Sequence, residues 1–209
     1  MNTLALHLTL ALGLTLLQPF STPATLANGV PLQLRVSVFN YAGLSTSTIQ
    51  QAEDVTTRIF LDAGIRVIWL NCPQDSEDED SSDRCAEASF PAHMQLRILR
   101  SVHGLKPSVV GISFMSADGI GCSADVFYEP LQVLQRQNHV VPSVILGHAM
   151  AHELGHLLLG TNSHSPTGIM RAHWTSGDLA SATVGHFVFT LEQSRKIRMN
   201  LRVAEGFHQ

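Results

Sequence analysis

The segment that most constrains how this chain can fold is residues 143–159, SVILGHAMAHELGHLLL. It holds no Lys, Arg or Asp and a single Glu, reads as a strongly apolar helix, and is followed by Gly160, a natural C-terminal stop. Inside it lies HELGH. Positions i and i+4 of a helix share one face, one turn apart, so His152 and His156 present two imidazoles to a single point. Glu153 is rotated by about 100° around the axis. That is close enough to act on a water held there without ligating a metal itself. Zinc takes imidazole nitrogens at about 2 Å and lowers the pKa of a bound water toward about 7, and a carboxylate can then take the proton. This chemistry explains why the pattern is H-E-x-x-H rather than two histidines at any spacing. At this chain's His and Glu content, chance gives the pattern in on the order of one or two per cent of such chains. His148 precedes His152 by one further turn. Three successive turns of a straight helix do not converge on one ion, since their ends are about 12 Å apart, so His148 is expected to be a packing histidine.

Two histidines leave the site one ligand short. The next one, His164, follows Gly160 through the short polar stretch TNSH, and GIM follows at 168–170. HELGHLLLGTNSHSPTGIM resembles the metzincin metalloproteases, most closely their matrixin branch, whose pattern is H-E-x-x-H-x-x-G-x-x-H and then a methionine-bearing turn beneath the metal. The resemblance implies His152, His156 and His164 as zinc ligands and Glu153 as general base. It also implies Gly160 as the helix-ending glycine and Met170 as the turn methionine. The family's glycine stands three residues after the second histidine and its third histidine six after. Here Leu159 and Asn162 hold those places, so Gly160 comes one later and His164 two later, a two-residue insertion. The specific likeness covers about 25 residues. No tyrosine follows the methionine turn. His173 is a candidate oxyanion partner there, or simply an exposed histidine.

The rest of the chain supplies a sheet. LQLRVSVFNYAG (32–43) alternates apolar and polar as a half-buried strand does. Ile49, Ala52, Val55, Ile59 and Phe60 recur at helical spacing, with Ser47 and Gln50 as a capping box and Gly64 as the stop. IRVIWLNC (65–72) and MQLRILRSV (94–102) are strands. Residues 104–130 give two more, with a Gly-rich turn at 119–121 and the last strand ending by Pro130. Thr190 and Gln193 form a capping signal for a basic C-terminal helix, LEQSRKIRMNLRVAE. The expected fold class is α+β and metzincin-like: a twisted mixed sheet of about five strands, two long helices, one of which carries HExxH, and the C-terminal helix. With no internal repeat and no linker, residues 28–209 are expected to form a single domain. The resemblance also implies strand addition of an extended peptide substrate at the sheet edge before the active-site helix; 119–128, GIGCSADVFY, is the candidate edge.

Residues 1–27 read as an export signal: an apolar run ending at Leu17, then small residues and a cleavage site after Ala27. The run is about 14 residues, short of the roughly 20 a membrane span needs, and lacks a Lys or Arg before it. Export suits the three cysteines, with Cys72 and Cys85 bracketing CPQDSEDEDSSDRC as a candidate disulfide and Cys122 left over. Six carboxylates fall within 75–83 but lack calcium-loop spacing, so that loop is expected to be solvated. A net charge of −4 gives no reason to expect nucleic acid. No cysteine-switch segment stands between Ala27 and the first strand.

The leading expectation is a secreted or periplasmic zinc endopeptidase acting on peptide or protein substrates. It would bind one Zn2+ per chain and hydrolyse peptide bonds with a zinc-bound water and Glu153 as base, without stable membrane insertion once the signal is removed. The sequence carries no signal for an oligomeric state. Two alternatives stay open. A carboxylate, Glu192 or Asp178, takes the third position, as in thermolysin-like enzymes. Otherwise the zinc is structural in a non-catalytic exported domain, closed by His173 or Cys122.

Overall fold

A computed structural model of the chain describes residues 32–73, 85, 87–101 and 104–206. The segment expected to be an export signal and the acidic loop lie outside them. The chain runs β1 (Leu32–Asn40), α1 (Thr46–Asp62), β2 (Ile65–Cys72), β3 (His93–Leu99), β4 (Gly111–Phe114), β5 (Ser123–Phe127), α2 (Tyr128–Asn138), α3 (Pro142–Leu159), α4 (Ser176–Thr183) and α5 (Leu191–Gly206). Among the described residues the result is a five-stranded mixed sheet with five helices. Strand order is β2-β1-β3-β5-β4, parallel throughout except for β4, which runs antiparallel to β5 at one edge.

Period-two alternation sets the sheet's inner face. Leu34, Val36 and Val38 of β1, Leu96 and Ile98 of β3, and Ala124 and Val126 of β5 are all buried in one core. The register aligns them: Val38 opposes Leu96, which opposes Ala124, and Ile98 opposes Val126. Helix α3 lies across this face. Being apolar all round, it must be covered all round; every residue except Pro142 and Val144 is buried, and it packs on α1, on strands β3 to β5 and on the other helices. Contact with α1 depends on Gly147, where a Cβ would sit 2.6 Å from the Ala52 carbonyl oxygen. Thr56 Oγ1, 2.9 Å from the carbonyls of both Ala52 and Gly147, ties the crossing together.

Several expectations need correction. The N-cap of α1 is Ser45, whose hydroxyl accepts from Thr48 N–H at 3.2 Å; Ser47 lies inside the first turn. Segment 119–128 is not a sheet edge: β5 is paired on both sides, by β3 and β4, and the edge is β4. The last strand ends before Pro130, at Phe127, and Pro130 itself sits in the first turn of α2, where its missing N–H costs nothing. Helices α2 and α4 were not anticipated. α4 opens with a reciprocal capping box between Thr175 and Asp178.

Cys72 and Cys85 form a disulfide with a Cα–Cα distance of 5.9 Å. Cys122 is free and half-buried. No described helix is long and apolar enough to cross a membrane.

Candidate metal centre

Helix α3 places His152 and His156 one turn apart, and the chain beyond it returns a third ring. Gly160 ends the helix in the left-handed conformation at φ 65°, which a side chain disfavours. Thr161 N–H then bonds back to the His156 carbonyl at 3.3 Å, and Thr161 Oγ1 accepts from Ser163 N–H at 3.0 Å. This turn delivers His164 to the other two rings. Ring nitrogens of His152, His156 and His164 lie within 4.8 Å of one another, a three-histidine group with two members buried and one exposed.

The hydrogen bonds fix what these rings can do. His152 Nδ1–H donates to the Ile169 carbonyl at 2.7 Å, and His156 Nδ1–H donates to the Thr161 carbonyl at 2.8 Å. A carbonyl oxygen only accepts, so each Nδ1 carries the hydrogen. In the neutral rings both Nε2 atoms are therefore bare lone pairs, and they face each other at 3.0 Å. Neither can donate to the other. A shared cation resolves that opposition, and orientation of ligating imidazoles by Nδ1–H donation to a carbonyl is the usual supporting arrangement. Burial, first of all, depresses the basicity of the three rings. The His152 pKa falls to about 3, with His156 adding to the drop and the Ile169 carbonyl opposing it; His156 and His164 shift the same way. Neutral imidazole is the form that binds metal.

Met170 and Phe189 form the floor. A Cβ on Gly155, between the two helix histidines, would lie 2.7 Å from both Met170 Sδ and Phe189 Cε1. The glycine is thus what lets the turn approach the helix. Hydrogen bonds from Ser165 N–H to the Met170 carbonyl (2.8 Å) and from Ile169 N–H to the Val188 carbonyl (3.0 Å) brace the turn. Trp174 stands beside His152, at 5.8 Å between ring centroids, and also contacts His148. His148 is buried, with Nδ1 2.7 Å from the Val144 carbonyl and its ring stacked on Phe187.

Glu153 meets β4. Gly111 and Ser113 oppose Val126 and Ala124 and so face the helix. Ser113 Oγ–H donates to Glu153 Oε2 at 2.7 Å and lies 2.8 Å from the Glu153 backbone oxygen. Burial lifts the Glu153 carboxyl to about 7, with the Ser113 hydrogen bond opposing and Asp125 adding. The histidines, Glu153 and β4 line a cleft of about 460 Å3, with Lys106 and His173 at its rim. Gly111 and Ser113 escaped the sequence reading; GISF carries no motif, and only strand pairing reveals which side chains meet the helix.

The other candidate ligands are elsewhere. Asp178 is taken up by Arg171, Thr175 N–H and the Thr175 hydroxyl. Glu192 is exposed in the first turn of α5. Neither they nor Cys122 belong to the three-histidine group.

No family model matches the chain, and no curated protein does. Among solved structures it is similar to an archaemetzincin from Methanopyrus kandleri, at 15% identity and TM-score 0.46, over 81% of this chain and 96% of that one. It is also similar to a zinc-dependent peptidase from Methanocorpusculum labreanum (strain Z), at 13% identity and TM-score 0.48, over 78% and 99%. What the site does must be read from its own side chains.

Proposed function

We propose that this chain is a zinc-dependent endopeptidase of metzincin type, exported by cleavage after Ala27 and acting as the single domain 28–209. The observation that carries the reading is the pair of opposed Nε2 lone pairs, 3.0 Å apart and locked by carbonyls on their far sides. With His164 they form a three-nitrogen donor set that fits zinc and leaves a position for water or substrate. His152, His156 and His164 would hold the ion, and when bound it supplies Lewis acidity toward a water and a peptide carbonyl. Glu153 takes the water's proton and returns it to the departing amine. The exposed edge of β4 offers backbone groups to an extended peptide running along the cleft. The disulfide supports an oxidising compartment.

The test is metal content of the purified chain beside its His164→Ala variant. One zinc per chain, lost in the variant, is the expected outcome. Zinc retained at full stoichiometry in the variant would move the third ligand off His164, and absence of zinc from both proteins would remove the proposal.

A further inference from the structure

The site has a second wall, and it bears on the base rather than the metal. We infer that Ser113 is a positioning residue for Glu153: β4 holds the carboxylate in place through one hydroxyl and one missing side chain. This rests on the peptidase reading given above.

Two independent contacts support it. Ser113 is buried at 6% exposure, yet its hydroxyl is not left over from packing, because Oγ spans Glu153 Oε2 at 2.7 Å and the Glu153 backbone oxygen at 2.8 Å. The single hydroxyl hydrogen goes to the carboxylate, the shorter contact, and holds its rotamer, while the backbone oxygen lies within reach as the alternative acceptor. Two residues earlier on the same strand face, Gly111 leaves the space the carboxylate occupies; a Cβ there would stand 2.6 Å from Glu153 Cδ. The carboxyl group is therefore bounded by strand backbone on one side and held by a hydroxyl on the other.

A free glutamate side chain on a helix samples several rotamers. A base whose carboxylate wanders by an ångström loses rate even when its chemistry is intact. Ser113 removes that freedom without touching the histidines, so its loss should damage turnover while sparing metal binding. Strand β4 is also one of the sheet's two outer strands, the one beside the cleft. The strand offered to substrate and the strand that aims the base are one element.

The experiment compares Ser113→Ala and Ser113→Thr with wild type on an internally quenched peptide that the wild type cleaves. Ser113→Ala should keep full zinc stoichiometry and lower kcat on the order of tenfold to a hundredfold with KM little changed, moving the acidic limb of the pH profile. Ser113→Thr retains the hydroxyl and should recover most of the rate. Unchanged kcat and pH profile in Ser113→Ala would overturn the inference. Loss of zinc or of fold in that variant would also overturn it, by making Ser113 a structural residue. If the wild type cleaves no peptide, the peptidase reading fails by itself, and a crystal structure of Ser113→Ala gives a separate readout. The Glu153 carboxylate should leave its place beside Gly111, and an unmoved carboxylate would end the inference.

Discussion

The two walls of the cleft are built by different means. The helix wall presents His152, Glu153 and His156 within five consecutive residues, and the i, i+4 geometry of one helix brings the rings together. The strand wall presents Gly111 and Ser113, forty residues away from the glutamate they surround. Its geometry comes from pairing with β5, not from local chain geometry. One wall carries chemical identity and the other carries placement. The difference teaches that, on the proposed reading, the helix motif specifies the ligands but leaves the aim of the base to tertiary structure.

The largest expected effect separates ligand from base on the helix wall itself. Glu153→Gln should retain zinc and lose activity by about 100- to 10,000-fold, whereas His152→Ala should lose both. Zinc analysis and initial rates on the same preparations check this; a Glu153→Gln enzyme at full rate would leave the helix wall without a base. On the strand wall, Gly111→Ala is the matching variant. Its methyl would meet Cγ, Cδ and Oε1 of Glu153, so the side chain must take another rotamer and the carboxylate is displaced. A rate loss on the order of tenfold to a hundredfold with zinc retained is expected. Equal activity would show that the strand wall does not constrain the base.

The same asymmetry governs what the sequence discloses. Whereas the roles expected of His164 and Met170 come from the resemblance, HELGH and Gly160 are readable because local rules tie residue type to position, through helical spacing and a left-handed cap. The same holds for the alternation of β1 and for the Thr190–Gln193 box, which forms as read, with Gln193 N–H bonding Thr190 Oγ1 and Thr190 N–H bonding the Gln193 side chain. Strand order is not written locally. The segment 119–128 is expected at an edge only through the resemblance, which places a substrate-pairing edge strand before the active-site helix. It lies inside because β4, four residues long, pairs outside it. Helix α2 was missed because Pro130 argues against a continuing strand without announcing a helix start, and Phe127 offers no side-chain cap.

A smaller effect tests the floor shared by helix and turn. Gly155→Ala gains helix propensity of about 1 kcal/mol but drives a methyl into Met170 and Phe189. Overpacking of this kind costs about 1–3 kcal/mol, so the net should be a lower melting temperature and weaker zinc retention. A more stable Gly155→Ala protein would mean that the turn does not press on the helix.

The smallest effect asks whether a perturbed carboxyl marks a wall at all. Glu53, on α1, is buried, and burial lifts its pKa to about 7, as it does that of Glu153; Asn71 opposes the shift and Asp54 adds to it. Glu53 lines no cleft with the histidines, so its shift should appear in stability alone. Its folded pKa is raised above the ordinary value of 4.5. At pH values below both, the group is neutral in either state and costs nothing. As pH rises from 4.5 toward 7, the unfolded chain ionises first and stability falls; above that the loss is complete and constant. Glu53→Gln should therefore raise the melting temperature at pH 8 by an amount equivalent to about 1–3 kcal/mol, match wild type near pH 4.5, and leave peptide cleavage unchanged. A melting-temperature gain of equal size at both pH values would trace to packing rather than to charge. A change in cleavage would tie Glu53 to the site and remove the contrast between a carboxyl that is merely buried and one that is buried, aimed and beside three imidazoles.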